Sequence, residues 1–568
     1  SLWTTPTNWV NELMPRDDRP ANIVAPVQIN TDTINVQGVR VAESGSIHIT
    51  PTGGLTVGEG GVQTVTTDGS AIVIDNLHSG AGFFRISPAY AGELPRITMR
   101  YQTQSTLDNG ANKDATWQYI GAPGNNATVY VDYNTWLYKH DEASADWVVE
   151  KRMDSVALVP FHGYSITQYG QPTYEWTADF TNQNDTIPLT YSKNGRSGRH
   201  IIANSYTAPI NVAAFTGDEF QFLEGMSTKY RIEQTLYIFN SGSWNNWNTA
   251  GQTATGSSAG QYYAIPVKAA AAQYMTEDIG EQTTIAPMQG IYLRVRSLTP
   301  LNELPEAGEQ VGNLILNYER LVMGSDHAMH RPMRAPQRTT SSAMQDPNFR
   351  RVRIVATSEN SGADRVYIIQ DNINTRKYNN GYDAPNQETK GLVNIYTNES
   401  GGKMEVSCSN NIDSMYIGFC AGADTIYTLR FTSLIGDSLY IKDLENDSII
   451  ALAEEGTYTF HAPAMSVNDM RFQVQLNPEF PAGHPNGNGN SGTTTAIDNV
   501  SSSKVWISDN IVYVSTGQEE NIVVLCNMHG QVLYQHSFDY QTQLSMEGLP
   551  AGVYLMKINN EIYKFVRQ

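Results

Sequence analysis

The chain has 568 residues, 40% of them apolar and only 17% charged, with a formal net charge of −20. That length exceeds a single hydrophobic core and points to roughly three to five domains. The acidic balance argues against nucleic acid and against docking on an anionic membrane surface, and no apolar run approaches the ~18 residues of a membrane span.

Asn, Thr, Ser, Gly and Tyr fill the place of the missing charge. That mixture suits half-exposed strands and turns, so the expected class is all-β and multi-domain. Residues 1–22 hold Trp3, Trp9 and three prolines ahead of any regular strand. Short triplets then alternate with Gly-containing turns: Ile47-His48-Ile49, Leu55-Thr56-Val57 and Ile72-Val73-Ile74. Strands this short are unstable alone but bury an apolar side when stacked as rungs, so 1–85 reads as a solenoid-like β region.

Residues 86–325 carry longer strands and an internal repeat. The first copy reads "WQYIGAP" (117–123), "WLYKHDEASADWVVE" (136–150) and "LVPFHGYSITQ" (158–168). The second reads "HIIANSYTAPI" (200–210), "TLYIFNSGSWNNWNT" (235–249) and "IAPMQGIYLRV" (285–295). Pro160 and Gly163 answer to Pro287 and Gly290, and Trp147 to Trp247. A duplicated β-sandwich region is expected. The second copy adds one helix-like run, "VKAAAAQYMTEDIG".

Residues 326–348 are Pro-, Met- and Arg-rich without period, hence a linker. From 349 to 477 eight alternating segments, among them "RRVRIVA", "DRVYIIQ", "KMEVSCS" and "RFQVQL", predict a β-sandwich or jelly roll. Residues 478–495, "PEFPAGHPNGNGNSGTTT", form a flexible linker ahead of a small β domain at 496–568.

Local chemistry is sparse. The "GSSAG" at 256–260 matches a hydrolase nucleophile elbow, but it sits in a Gly/Ser/Thr loop and reads as loop. His327 and His330 beside Asp326 read as linker histidines. The oxygen-rich stretch 371–383 is either a loop calcium site or an Asx-turn loop, the latter preferred; no other cofactor, no resident metal and no catalytic residue is expected. Three cysteines, Cys408, Cys420 and Cys526, are too few for a disulfide framework, and whether Cys408 and Cys420 pair stays open. Core packing accounts for Trp117, Trp136 and Trp147, while Trp244, extra in the second hairpin, is the candidate glycan contact. Asp, then Ser or Thr, then an apolar residue recurs at Thr33, Ser155, Thr186, Ser414, Thr425, Ser438 and Ser448 (numbered by the hydroxyl), a pattern that a strand entry also explains.

The tail "VVLCNMHGQVLYQHSFDYQTQLSMEGLPAGVYLMKINNEIYKFVRQ" (523–568) resembles the type A C-terminal sorting domain of Bacteroidota type IX secretion cargo. Gly530, Leu549, Gly552, Tyr554, Lys564, Phe565 and Val566 fall at that family's motif positions, although the ending "KFVRQ" departs from the commoner Lys-Val-Val-Lys. Upstream, "NWVNELMPRDDRPANIVAP" and "IIANSYTAPI…IAPMQGIYLRV" are more loosely similar to large secreted proteins of the same phylum, with Ser205 where that pattern has Pro. The resemblance implies an Ig-like sorting domain, recognition by the translocon and its shuttle proteins, and a place outside a Gram-negative cell or on its outer-membrane surface. The Asp-Ser/Thr-apolar pattern is also similar to the O-glycosylation acceptor motif of that phylum, which implies that some of the seven sites carry glycans. The resemblance implies no activity of its own; the lack of any local catalytic constellation gives the expectation of a non-enzymatic structural or adhesive surface protein that self-associates into a layer or filament. Two alternatives stay open: a glycan-binding module, and a hydrolase with a site assembled from distant strands.

Overall fold

The computed structural model of the chain describes residues 1–32, 34–105, 107, 116–170, 172–193, 198–241, 260–275, 283–305, 308–324, 346–358, 361–399, 401–436, 438–476, 478, 504–508, 511–515, 521–527, 532–538, 541–545, 549–550, 552–559 and 561–567. Two compact units emerge, Ser1–Pro478 and Glu479–Gln568. Strands dominate both, and the described helices are short, such as Val267–Ala271 and Tyr318–Leu321. Trp244, Trp247, His327, His330 and most of both linkers lie outside the described residues.

The rung pattern near the N-terminus forms two parallel sheets. Ala21–Ile23, Ile34–Val41, Gly54–Thr64 and Phe83–Ile86 make one. Pro26–Ile29, Ser46–Ile49, Ile72–Leu77 and Arg96–Tyr101 make the other, closed by antiparallel Tyr174–Asp179. Successive strands alternate between the sheets, as a coiling chain requires. Ile47, Ile49, Ile72 and Ile74 stack inward, fully buried, because alternate residues of a strand face one side. Trp3 plugs the first rung: its amide donates to the Gln28 carbonyl (2.8 Å), and Trp9 packs edge-on at 4.9 Å.

The internal repeat has matching topology. In the first copy Gln118–Gly121, Gly163–Gln168, Thr135–Asp141 and Asp146–Val149 lie side by side in that order. In the second, Arg199–Ala203, Gly290–Ser297, Thr235–Phe239 and Tyr262–Pro266 repeat the order. Each copy also has a two-stranded ribbon, Thr128–Val131 with Asp154–Ala157 and Ile210–Asn211 with Thr284–Ile285. The two Pro-x-x-Gly turns are alike down to the left-handed backbone of their second residue, Phe161 at φ 57° and Met288 at φ 64°.

The copies join reciprocally. Gly121 N–H donates to the Met288 carbonyl at 2.8 Å, and Ala203 N–H donates to the Phe161 carbonyl at 3.2 Å. The glycines of both turns are required by this approach: a Cβ on Gly163 would overlap Ile201, and one on Gly290 would overlap Tyr119.

Residues 350–475 form one continuous 11-stranded sheet. It folds over on itself, since Phe419 meets Tyr427 and Phe460 at 4.9 Å although their strands lie far apart in the ladder. Ala384–Pro385, Asn394–Glu399 and Ser448–Ala451 join the eight strands expected from the alternation. Asn394–Glu399 sits mid-sheet with its polar residues half to fully buried, so its sequence lacks the apolar alternation of its neighbours. This sandwich and the second copy share a core of Tyr237, Ala264, Tyr274, Tyr292, Phe349, Tyr367, Ile369 and Val406.

Gly163→Val forces the two copies apart, and is expected to destabilise the chain by about 1–3 kcal/mol. Ser155→Ala, on an exposed strand position, is expected to stay within about 0.5 kcal/mol of wild type. Chemical denaturation followed by tryptophan fluorescence separates the two; equal midpoints contradict this account of the joint.

Candidate functional site: the C-terminal sorting domain

The second unit is a two-layer sandwich. Lys504–Ser508, Ile511–Ser515 and Gln541–Ser545 form a three-stranded sheet. Val532–Phe538, Asn521–Asn527, Gly552–Ile558 and Glu561–Arg567 form a four-stranded one. Period-2 alternation points Val512, Val514 and Leu544 from one layer at Val523, Leu525, Tyr554, Met556 and Ile558 from the other.

The motif residues divide by role in this packing. Leu549 is half-buried against the core, and Tyr554 is buried with its hydroxyl donating to the Pro550 carbonyl at 2.6 Å. That bond ties the loop ahead of the strand to the strand itself, which accounts for a Leu and a Tyr five residues apart. Gly552 opens the strand opposite Arg567. Lys564, Phe565 and Val566 lie on the final strand, paired with Leu555, Tyr554 and Val553. Gly530 lies outside the described residues.

Asn559 pins the last turn. Its side-chain oxygen accepts from Ile522 N–H at 2.9 Å, its backbone N–H donates to the Ile522 carbonyl at 3.0 Å, and its amide nitrogen donates to Asn521 Oδ1 at 2.8 Å. Its φ of 50° is the left-handed conformation that Asn tolerates. The outer strand Val532–Phe538 exposes Val532, Leu533 and Tyr534, an apolar run on an open sheet edge. Neither Asn559 nor this run was singled out from sequence. The left-handed turn residue "NN" before the last strand is the signal that could have found the first.

Residues 508–568 match the family model of the secretion system C-terminal sorting domain. The chain is a cargo protein of the type IX secretion system. The cargo protein is exported to the cell surface or extracellular space of a Bacteroidota bacterium, and the sorting domain is the part that meets the secretion machinery. Over 393 residues, 64% of this chain, it is 25% identical to the minor fimbrium subunit Mfa5 of Porphyromonas gingivalis. The match spans 28% of that relative's length. No helix among the described residues is long and apolar enough to cross a membrane.

The remaining candidate residues of the cargo protein are scattered. Ser155, Thr186, Ser414 and Ser438 are exposed, Thr425 and Ser448 are half-buried, and Thr33 lies outside the described residues. In the loop 371–383 the carboxylates serve the chain's own backbone. Asp371 Oδ1 accepts from Ile373 and Asn374 N–H at 2.8 and 2.7 Å, and Asp383 accepts from Asn379 and Cys408 N–H at 2.6 and 2.7 Å. Burial, first of all, pushes the Asp383 carboxyl up to about 7. Asp371 closes an Asx-turn and Asp383 ties the loop to the neighbouring strand, and among the described residues no group of three or more His, Cys, Asp or Glu converges as a metal site. Cys408, Cys420 and Cys526 are free thiols.

Tyr554→Phe removes only the bond to Pro550 and should cost about 1 kcal/mol while leaving export intact. Tyr554→Ala opens a cavity between the sheets, about 3–5 kcal/mol, and should leave the chain inside the cell. Immunoblots of surface and periplasmic fractions read the outcome; normal surface display of the alanine variant contradicts a folded domain as the export signal.

Proposed function

We propose that this cargo protein is a non-enzymatic structural subunit of a surface fimbria or layer. The similarity to a minor fimbrium subunit over 393 residues carries the reading. The construction of the first unit supports it, because solenoid, repeat and sandwich are fused through shared cores and backbone hydrogen bonds.

The strand Asp146–Val149 is the proposed seat of self-association. It is the outer strand of its sheet, with Val148 and Val149 exposed and Tyr130, Tyr133 and Met153 exposed on nearby strands and turns. Such an edge offers unpaired backbone groups to another strand. The outer strand Asp185–Tyr191, by contrast, is blunted by Pro188. Deleting the gene should remove an ordered fibre or array from the cell surface in electron micrographs, and light scattering of tail-free protein should show concentration-dependent oligomers. Monomers at every concentration sink the assembling-subunit reading.

The Asp-Ser/Thr sites are proposed as O-glycan acceptors. The exposure of Ser155, Thr186, Ser414 and Ser438 supports this. In two of them the aspartate also accepts the next residue's backbone N–H, Ser155 at 2.8 Å and Thr186 at 2.6 Å, which holds the hydroxyl residue at a strand start. The intact mass of protein from the native cell should exceed that of the bare chain; an equal mass rejects the proposal.

A further inference from the structure

Strand register in the first copy builds a pocket that no linear motif announces. Tyr119 stands opposite Ser165, and Ser165 stands opposite Tyr138 on its other side. Alternation puts the three on one face in one row, with a small hydroxymethyl between two large rings. Ser165 is therefore the floor of a depression and the tyrosines are two of its walls. Trp117, two residues before Tyr119, shares its face and meets Tyr138 edge-on at 5.3 Å. Trp147 packs against Tyr119 from the hairpin at 5.6 Å, and Phe239 of the second copy packs against it at 5.1 Å. Together Trp117, Tyr119, Tyr138, Trp147, Ser165 and Phe239 line a cavity of about 340 Å³.

Five aromatic rings left half-buried around an open volume are not a finished core. The volume lies within the range of small-molecule sites. Its polar groups narrow the ligand. The Tyr119 hydroxyl is held by the Tyr262 hydroxyl at 2.6 Å. The Tyr138 hydroxyl, Ser165 Oγ and the indole N–H groups of Trp117 and Trp147 have no hydrogen-bond partner among the described residues, and no charged side chain lines the cavity among them.

An anion would find no counter-charge here. A quaternary ammonium would meet the ring faces but leave the Tyr, Ser and Trp polar atoms unused, and a purely apolar ligand would strand four polar groups. We propose that the pocket takes a single pyranose residue of a saccharide. The C–H face of such a ring is apolar and packs on an aromatic face, while its hydroxyls can reach the Tyr, Ser and Trp polar atoms. The assignment stands apart from the fimbrial reading and does not need it.

The full chain is screened on a glycan array, and hits are titrated by calorimetry. Saccharide binding is expected, weakened about tenfold or more by Ser165→Leu, which fills the floor, and by Trp147→Ala. Tyr138→Phe removes one oxygen from the wall and guards against loss of binding through misfolding; it should weaken binding several-fold with an unchanged thermal midpoint. The proposal is overturned by an array without saccharide signal, by binding that all three variants leave intact, or by a response to tetramethylammonium alone.

Discussion

Two backbone hydrogen bonds, Gly121 to Met288 and Ala203 to Phe161, clasp the duplicated halves of the molecule, and much of the rest hangs on that clasp. Strands can approach this closely only where side chains are absent, so each copy offers a glycine at the contact: Gly163 beneath Ile201, and Gly290 beneath Tyr119. The clasp brings Tyr119 of one copy against Phe239 and Tyr262 of the other. The aromatic pocket is thus a by-product of duplication, walled by four strands of the first copy and by Phe239 of the second.

The joint between the second copy and the following sandwich is of a different kind. It is apolar at its centre but also buries charge. Arg365 and Glu405 are each about 1% exposed and approach to 3.5 Å, and Ala264 N–H donates to the same Glu405 oxygen at 2.9 Å. Beside them Asp364 is fully enclosed; burial first, and Glu405 second, push its carboxyl up to about 8. The Arg365 guanidinium lies over the Tyr263 ring at 4.9 Å. Breaking such a cluster would leave an uncompensated buried charge, so the joint resists opening.

Much of this architecture was legible in residues that act locally. The Ile-x-Ile triplets can bury one face only by stacking, and they stack as parallel rungs. The repeated Pro-x-x-Gly segments recur because the same left-handed turn recurs, at Phe161 and Met288. Leu549 and Tyr554 mark the sorting domain because the same side chains that spell its motif fill its core. Asn394–Glu399 was not legible, because a strand in the middle of a folded-over sheet can be polar when its neighbours satisfy it. Trp117 and Trp147 read as core packing from the recurrence of tryptophans between the copies; Trp147 does pack against the core shared with the second copy, and both stand half-buried on the walls of a cavity.

The sequence by itself determined an exported, all-β chain with a duplicated middle and a folded address at its end. The β class and the duplication follow from alternation and turn residues, which operate over a few residues, and the export address from the tail's resemblance to the type IX sorting domain. Tertiary structure alone decided which faces meet. Ser165 becomes a floor only because register sets it between Tyr119 and Tyr138, residues 46 positions before it and 27 before it in the chain. Register depends on how whole sheets pack, and a one-residue slip would turn every one of those side chains to the opposite face.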